Sequence, residues 1–65
     1  MTRILFAVVA KGVKWGVVQN GRVLSSHVSK DTAVMKAREH ALKCIPSKLV
    51  IYDSDKAQEF EWYYD

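Results

Sequence analysis

The stretch that decides the fold is Val13-Lys14-Trp15-Gly16-Val17-Val18-Gln19-Asn20-Gly21-Arg22-Val23-Leu24-Ser25-Ser26-His27-Val28. At its centre, Asn20-Gly21 stands between two runs rich in β-branched residues. That is the pattern of a two-residue type I′ hairpin, which needs positive φ at both central positions. The turn predicts a register in which residue 19 faces 22, 17 faces 24, 15 faces 26 and 13 faces 28. Val13, Trp15, Val17, Leu24 and Val28 then share one apolar face, the core side of the hairpin.

Upstream, a turn at Lys11-Gly12 would pair 10 with 13, 8 with 15, 6 with 17 and 4 with 19, adding Ile4, Phe6 and Val8 to that face. Two separately placed turns thus converge on a three-stranded meander. Downstream, Ser29 is a helix N-cap with Asp31 in the first turn, where the dipole favours a negative charge. Ala33, Val34, Ala37, Ala41, Cys44 and Ile45 form one stripe at helical spacing, with Lys36, Glu39 and Lys43 opposite. Pro46 stops the helix. Leu49 to Tyr52 reads as a strand and Asp53-Ser54-Asp55-Lys56 as its turn. In the last strand, Gln58 to Tyr64, the side chains of Phe60, Trp62 and Tyr64 point inward and Glu59, Glu61 and Tyr63 alternate with them. The expected fold is α+β in the order β-β-β-α-β-β, a five-stranded, mainly antiparallel sheet with one helix packed on one face. Strand 1 is apolar on both faces, so the final hairpin is expected to dock beside it, with antiparallel neighbours throughout.

With 65 residues, 49% hydrophobic and 26% charged, residues 1–65 form a single domain with a small core. The single cysteine, Cys44, forbids an intramolecular disulfide, and cysteine usage fits the cytoplasm. Ile4 to Ala10 imitates a short secretory signal after Arg3, but Lys11 and Lys14 close the run, which reads instead as a buried strand. No stretch reaches the roughly 20 apolar residues of a membrane span. The net charge of +3 hides an asymmetry: residues 1–48 hold nine Lys/Arg against Asp31 and Glu39, for +7, and residues 49–65 hold five acids against Lys56, for −4. In a domain this small, such halves are expected to attract each other.

From Trp15 onward, about 50 residues are similar to a small bacterial domain-of-unknown-function family, the one numbered 2188. The resemblance rests on Trp15-Gly16-Val17, the Asn20-Gly21 turn, Ser25-Ser26, the helix with Ala33, Ala37, Arg38 and Ala41, Leu49-Val50-Ile51 leading into Asp53-Ser54-Asp55, and Trp62-Tyr63-Tyr64. Family members tend to carry Asp-Gly in the last hairpin, where this chain has Asp55-Lys56. The resemblance implies a fold and brings no activity, substrate or catalytic set.

No constellation spells out a reaction. Cys44 and His40 are four residues apart on the helix, but a cysteine on the buried stripe at a helix C-terminus is a core residue, since the dipole there disfavours a thiolate. Cys44, His40 and His27 lack metal-ligand spacing, and Asp53 and Asp55 lack the later ligands of a calcium loop, so neither metal nor cofactor is expected. The register sets His27 opposite Lys14 on the face away from the helix, with Ser25 two residues away, but no orienting carboxylate completes a catalytic group. The same register fills that outer face with Leu5, Val18 and Val23 in one row, Ala7, Gly16 and Ser25 in the next, then Val9, Lys14 and His27. An uncovered apolar sheet face is ordinarily an interface. The expectation is therefore a non-enzymatic interaction module, a homodimer or the binder of a protein partner, using Leu5, Ala7, Val9, Gly16, Val18, Val23 and Ser25. The alternative is a nucleic-acid-binding accessory protein using Lys14, Arg22, His27, Lys36 and Lys43. No membrane and no small-molecule substrate is expected.

Overall fold

The computed structural model describes residues 3–65. Its elements are β1 (Ile4–Lys11), β2 (Lys14–Gln19), β3 (Arg22–His27), α1 (Lys30–Lys43), β4 (Ser47–Tyr52) and β5 (Gln58–Tyr64). They build the expected α+β architecture, one five-stranded sheet in the order β3-β2-β1-β4-β5 with α1 on one face.

Asn20 and Gly21 have φ of 49° and 86°, the two positive values a type I′ turn demands, and Gln19 faces Arg22 as expected. The turn controls only the first pairs. A bulge beyond Val18↔Val23 inserts Leu24, so Val17 faces Ser25 and Trp15 faces His27, in place of Leu24 and Ser26. A one-residue slip exchanges the two faces of a strand. Ser25 and His27 therefore lie on the helix side with Val17 and Trp15, and Ser26 lies on the outer side with Gly16.

In the first hairpin the two-residue loop is Gly12-Val13, one step later than the expected Lys11-Gly12, with φ +64° at Gly12 and Lys11 facing Lys14. Val8 then faces Val17 and Phe6 faces Gln19, a slip of two residues in the pairing. An even slip keeps every side chain on its face. Phe6, Val8 and Val17 thus still meet in the core, flanked by Ile4 and Trp15. Val13 at the loop tip (88% exposed) and Val28 past the end of β3 (77%) leave the predicted core face.

Ser29 caps α1, its Oγ accepting the Thr32 N–H at 3.4 Å, with Asp31 in the first turn. Ala33, Ala37 and Ala41 are fully buried, and their methyl groups let the helix sit close to Phe6, Val8, Val17, Leu49 and Ile51. The stripe ends earlier than expected, because the helix stops at Lys43 and Ile45 is exposed. The buried Ser47 hydroxyl donates to Ala41 O at 2.8 Å and the Cys44 N–H donates to the same carbonyl at 3.2 Å, satisfying one of the orphan acceptors of the last turn.

One passage of helix returns the chain to the end of the sheet where β3 began, so β4 must run in the direction of β3 and β1. The final hairpin does dock beside β1, but β1 and β4 pair in parallel, not antiparallel; the other three pairings are antiparallel. In the β4-β5 turn, Asp53 Oδ1 accepts the N–H groups of Asp55 and Ala57, both at 2.9 Å, and Lys56 takes the left-handed φ of 65°. Two ion pairs, Arg3–Asp65 and Lys30–Glu59, join the basic body to the acidic final hairpin, and a third, Lys48–Glu61, lies between the two strands of that hairpin. All three involve partly exposed side chains, so they orient the hairpin more than they stabilise it.

Candidate interaction surfaces

The face of the sheet opposite α1 is covered by no element among the described residues. Pairing across the strands gives its rows: Leu5, Lys48 and Tyr63; then Val23, Val18, Ala7, Val50 and Glu61; then Ser26, Gly16 and Val9; then Lys14 and Lys11. Leu5 and Val23 are 42% and 45% exposed, and Ala7, Val9 and Val18 are half-buried. The aliphatic part of Lys11 lies over Gly16, where a Cβ would stand 3.3 Å from Lys11 Cδ. Six of the seven expected interface residues, Leu5, Ala7, Val9, Gly16, Val18 and Val23, are thus brought onto one surface, in rows reset by the two register changes. Ser25 is not among them, because the Leu24 bulge turns it to the helix side.

One border of this face is a polar cluster. Glu61 accepts from Tyr63 Oη at 2.5 Å and from Gln58 Nε2 at 2.7 Å, and Lys48 Nζ lies 3.5 Å from its Oε1. Those hydrogen bonds, with the Lys48 charge behind them, hold the Glu61 carboxyl below its ordinary range, and the Tyr63 contact and the Glu61 charge raise Lys48 above its own. The Arg3 guanidinium and the Lys48 ammonium lie 5.0 and 5.4 Å from the Tyr63 ring centre.

The sequence reading gives Phe60, Trp62 and Tyr64 the right face of the sheet, the helix side, but its expectation that they point into the core is corrected for Phe60 and Trp62, which no element covers among the described residues. An α-helix is about 10 Å across and strands are about 4.8 Å apart, so one helix spans two to three strands of five. Here α1 lies over β2, β1 and β4 and leaves β5 beyond it. Phe60 and Trp62 stack on each other (5.4 Å between centroids, 21° between planes) yet remain 56% and 44% exposed. A trough runs between α1 and β5, about 220 Å³ where Val34, Arg38, Leu49, Trp62 and Tyr64 meet. It is the surface that sequence reasoning missed, and the ratio of one helix to five strands was the signal for it.

The remaining expected residues do not converge. His27 faces Trp15 and accepts or donates one hydrogen bond, to Ser25 Oγ at 2.9 Å, while Lys14 lies on the outer face. The His27–Lys14 juxtaposition expected from the unbulged register is therefore corrected. Arg22 lies on the helix side opposite Gln19, and Lys36 and Lys43 are exposed on α1. Thus Lys14, Arg22, His27, Lys36 and Lys43 are spread over both faces of the molecule. His40 stacks on Phe6, at 6.2 Å and 15°, and Cys44 is half-buried at the helix end. Among the described residues, no three His, Cys, Asp or Glu side chains gather as a metal-ligand set, and Asp53 acts as a turn acceptor. Among the described residues, no helix is long and apolar enough to cross a membrane. No family model, curated protein or solved structure matches this chain.

Proposed function

We propose that this chain is a small non-enzymatic interaction module that pairs with a second copy of itself through the outer sheet face. The observation that carries the reading is the strip formed by Leu5, Ala7, Val9, Val18 and Val23, apolar and without a covering element among the described residues. Lys11 and Lys14 border it on one side and Lys48 and Glu61 on another, the apolar-centre, polar-rim arrangement of protein interfaces. At about 4.8 Å per strand and 3.3 Å per residue, a five-stranded face offers roughly 450 Å² in plan. Two such faces together bury on the order of 1,000 Å², the low end for specific contacts, so the pairing is reversible and concentration-dependent.

Sedimentation equilibrium tests this reading. The expected result is a mass rising above 7.4 kDa with concentration, and a weaker rise for Val18→Lys. A 7.4 kDa species from micromolar to millimolar concentration overturns it, as does an association that Val18→Lys leaves unchanged. Capture of duplex or single strands at low salt, lost steeply as salt rises, would favour nucleic-acid binding instead.

A further inference from the structure

We infer that the cavity where β4 turns away from β1 binds a small organic phosphate monoester through Lys11 and Lys56. β1 and β4 pair in parallel as far as Val8↔Ile51. β1 then runs on to Lys11, while the chain leaves β4 at Tyr52 for the turn closed by the Lys56 N–H on Asp53 O. The gap that opens between them is about 360 Å³, lined by Val9, Ala10, Lys11, Tyr52 and Lys56. Its charged lining is wholly cationic. Among the described residues, the acidic side chains that form ion pairs do so with Arg3, Lys30, Lys36 and Lys48, and none pairs with Lys11 or Lys56. Asp53 and Asp55 of the adjoining turn are absent from the lining, and Asp53 Oδ1 is held by the N–H groups of Asp55 and Ala57.

Both cations are placed at a cost to the folded state. Lys56 takes φ 65°, the left-handed region in which a side chain crowds its own backbone and glycine does not. Lys11 stands directly opposite Lys14 at the end of the first hairpin, and like charges directly opposite are destabilising. Neither lysine fills the core, since both are exposed. A strained backbone position and an uncompensated charge pair thus converge on one cavity. Held strain of this kind is characteristic of ligand clamps, and a bound anion would offset the repulsion.

The lining selects the anion. A phosphate monoester carries a charge of about −1.5 to −2 at pH 7, which matches two ammonium groups. A carboxylate, or the phosphodiester of a nucleic-acid backbone, carries one. Lysine binds phosphate as a point charge with three donors, without the planar fork by which arginine suits a carboxylate. The Tyr52 hydroxyl is a further donor on the lining. Val9, Ala10 and the Tyr52 ring supply apolar surface, and the volume lies within the roughly 300–1,000 Å³ of small-molecule sites, so the phosphate has room to carry a compact apolar group. Val9 also belongs to the outer-face strip, but the cavity is complete within one chain and does not depend on self-association.

Titration with phenyl phosphate at neutral pH and low salt tests the site, at a protein concentration where the mass is 7.4 kDa. Isothermal calorimetry gives the affinity, and ¹H–¹⁵N spectra locate the ligand. The expected result is saturable binding with shifts centred on Val9, Ala10, Lys11, Tyr52 and Lys56, and weaker binding of both benzoate and inorganic phosphate. Lys56→Gly should weaken phenyl phosphate binding about tenfold, the worth of one charge-assisted hydrogen bond, while its Tm stays at or above that of wild type. Lys11→Gln should weaken it to a similar extent, and Lys43→Gln on α1 should leave it unchanged. Absence of saturable binding, or shifts that avoid the cavity, overturns the site. An equal loss in Lys43→Gln reduces the binding to general charge and overturns it too. Benzoate that binds as tightly as phenyl phosphate overturns the choice of phosphate, and a phosphotyrosine peptide that binds tenfold tighter overturns the choice of a small molecule.

Discussion

Replacing Ala37 by Leu tests whether α1 is seated on the sheet as closely as its three buried alanines imply. Ala37 is fully buried between Ala33 and Ala41, against a layer that includes Phe6, Val8 and Val17. Leucine adds three carbon atoms where no exposed surface remains, and overpacking of this kind costs about 1–3 kcal/mol. The helix-propensity difference between Ala and Leu is only a few tenths of a kcal/mol, so it cannot produce the effect. A 65-residue domain has a total stability of roughly 3–10 kcal/mol, so the loss is a large share of it. At about 4–8 °C per kcal/mol, a cost near 2 kcal/mol lowers Tm by about 8–16 °C. Thermal and urea unfolding followed by circular dichroism at low protein concentration give the value, with the exposed Met35→Leu as a control expected within about 0.5 kcal/mol of wild type. An Ala37→Leu chain as stable as wild type would refute the close seating and would mean that space remains between helix and sheet.

Ser47→Ala removes the buried donor to Ala41 O, but that carbonyl keeps the Cys44 N–H, so the urea midpoint should show a loss of only about 0.5–1.5 kcal/mol. Lys56 holds φ 65° at the position where glycine is most at ease, and Lys56→Gly should raise stability by about 0.5–1 kcal/mol; a lower Tm would contradict the turn geometry. The Glu61 carboxyl is held below its ordinary value, so its contribution to stability is present above about pH 4.3 and is lost as pH falls through the folded-state pKa. Lys48 is raised, so its contribution is complete below about pH 10.4 and is lost as pH rises through its folded-state pKa. Glu61→Gln should accordingly flatten the acid limb of a pH-stability curve, by a small amount because both groups are solvent-exposed.

Much of the fold was legible because its signals are local. Asn20-Gly21 demanded a turn with two positive φ angles, Ser29 and Pro46 bracketed the helix, and alternation in Gln58–Tyr64 assigned faces to β5. What local signals could not carry was register far from a turn. The extra residue at Leu24 is invisible in the pattern Val23-Leu24-Ser25-Ser26, yet it moves Ser25 and His27 to the opposite face and dissolves the pairing of His27 with Lys14. The displaced first turn was harmless by contrast, since a slip of two residues preserves faces and kept Leu5, Ala7, Val9, Val18 and Val23 together. The parallel β1-β4 pairing follows from counting chain reversals, three strands and one helix, and not from any residue type. The aromatic edge of β5 was readable residue by residue, but its exposure depends on the width of one helix against five strands.

The outer-face pairing is tested most directly by isotope-filtered NMR on an equimolar mixture of ¹³C-labelled and unlabelled chains, at a concentration where the mass exceeds 7.4 kDa. The account predicts intermolecular NOEs among the methyl groups of Leu5, Ala7, Val9, Val18 and Val23. A sample that associates but gives no intermolecular NOE to any of these five residues would contradict it.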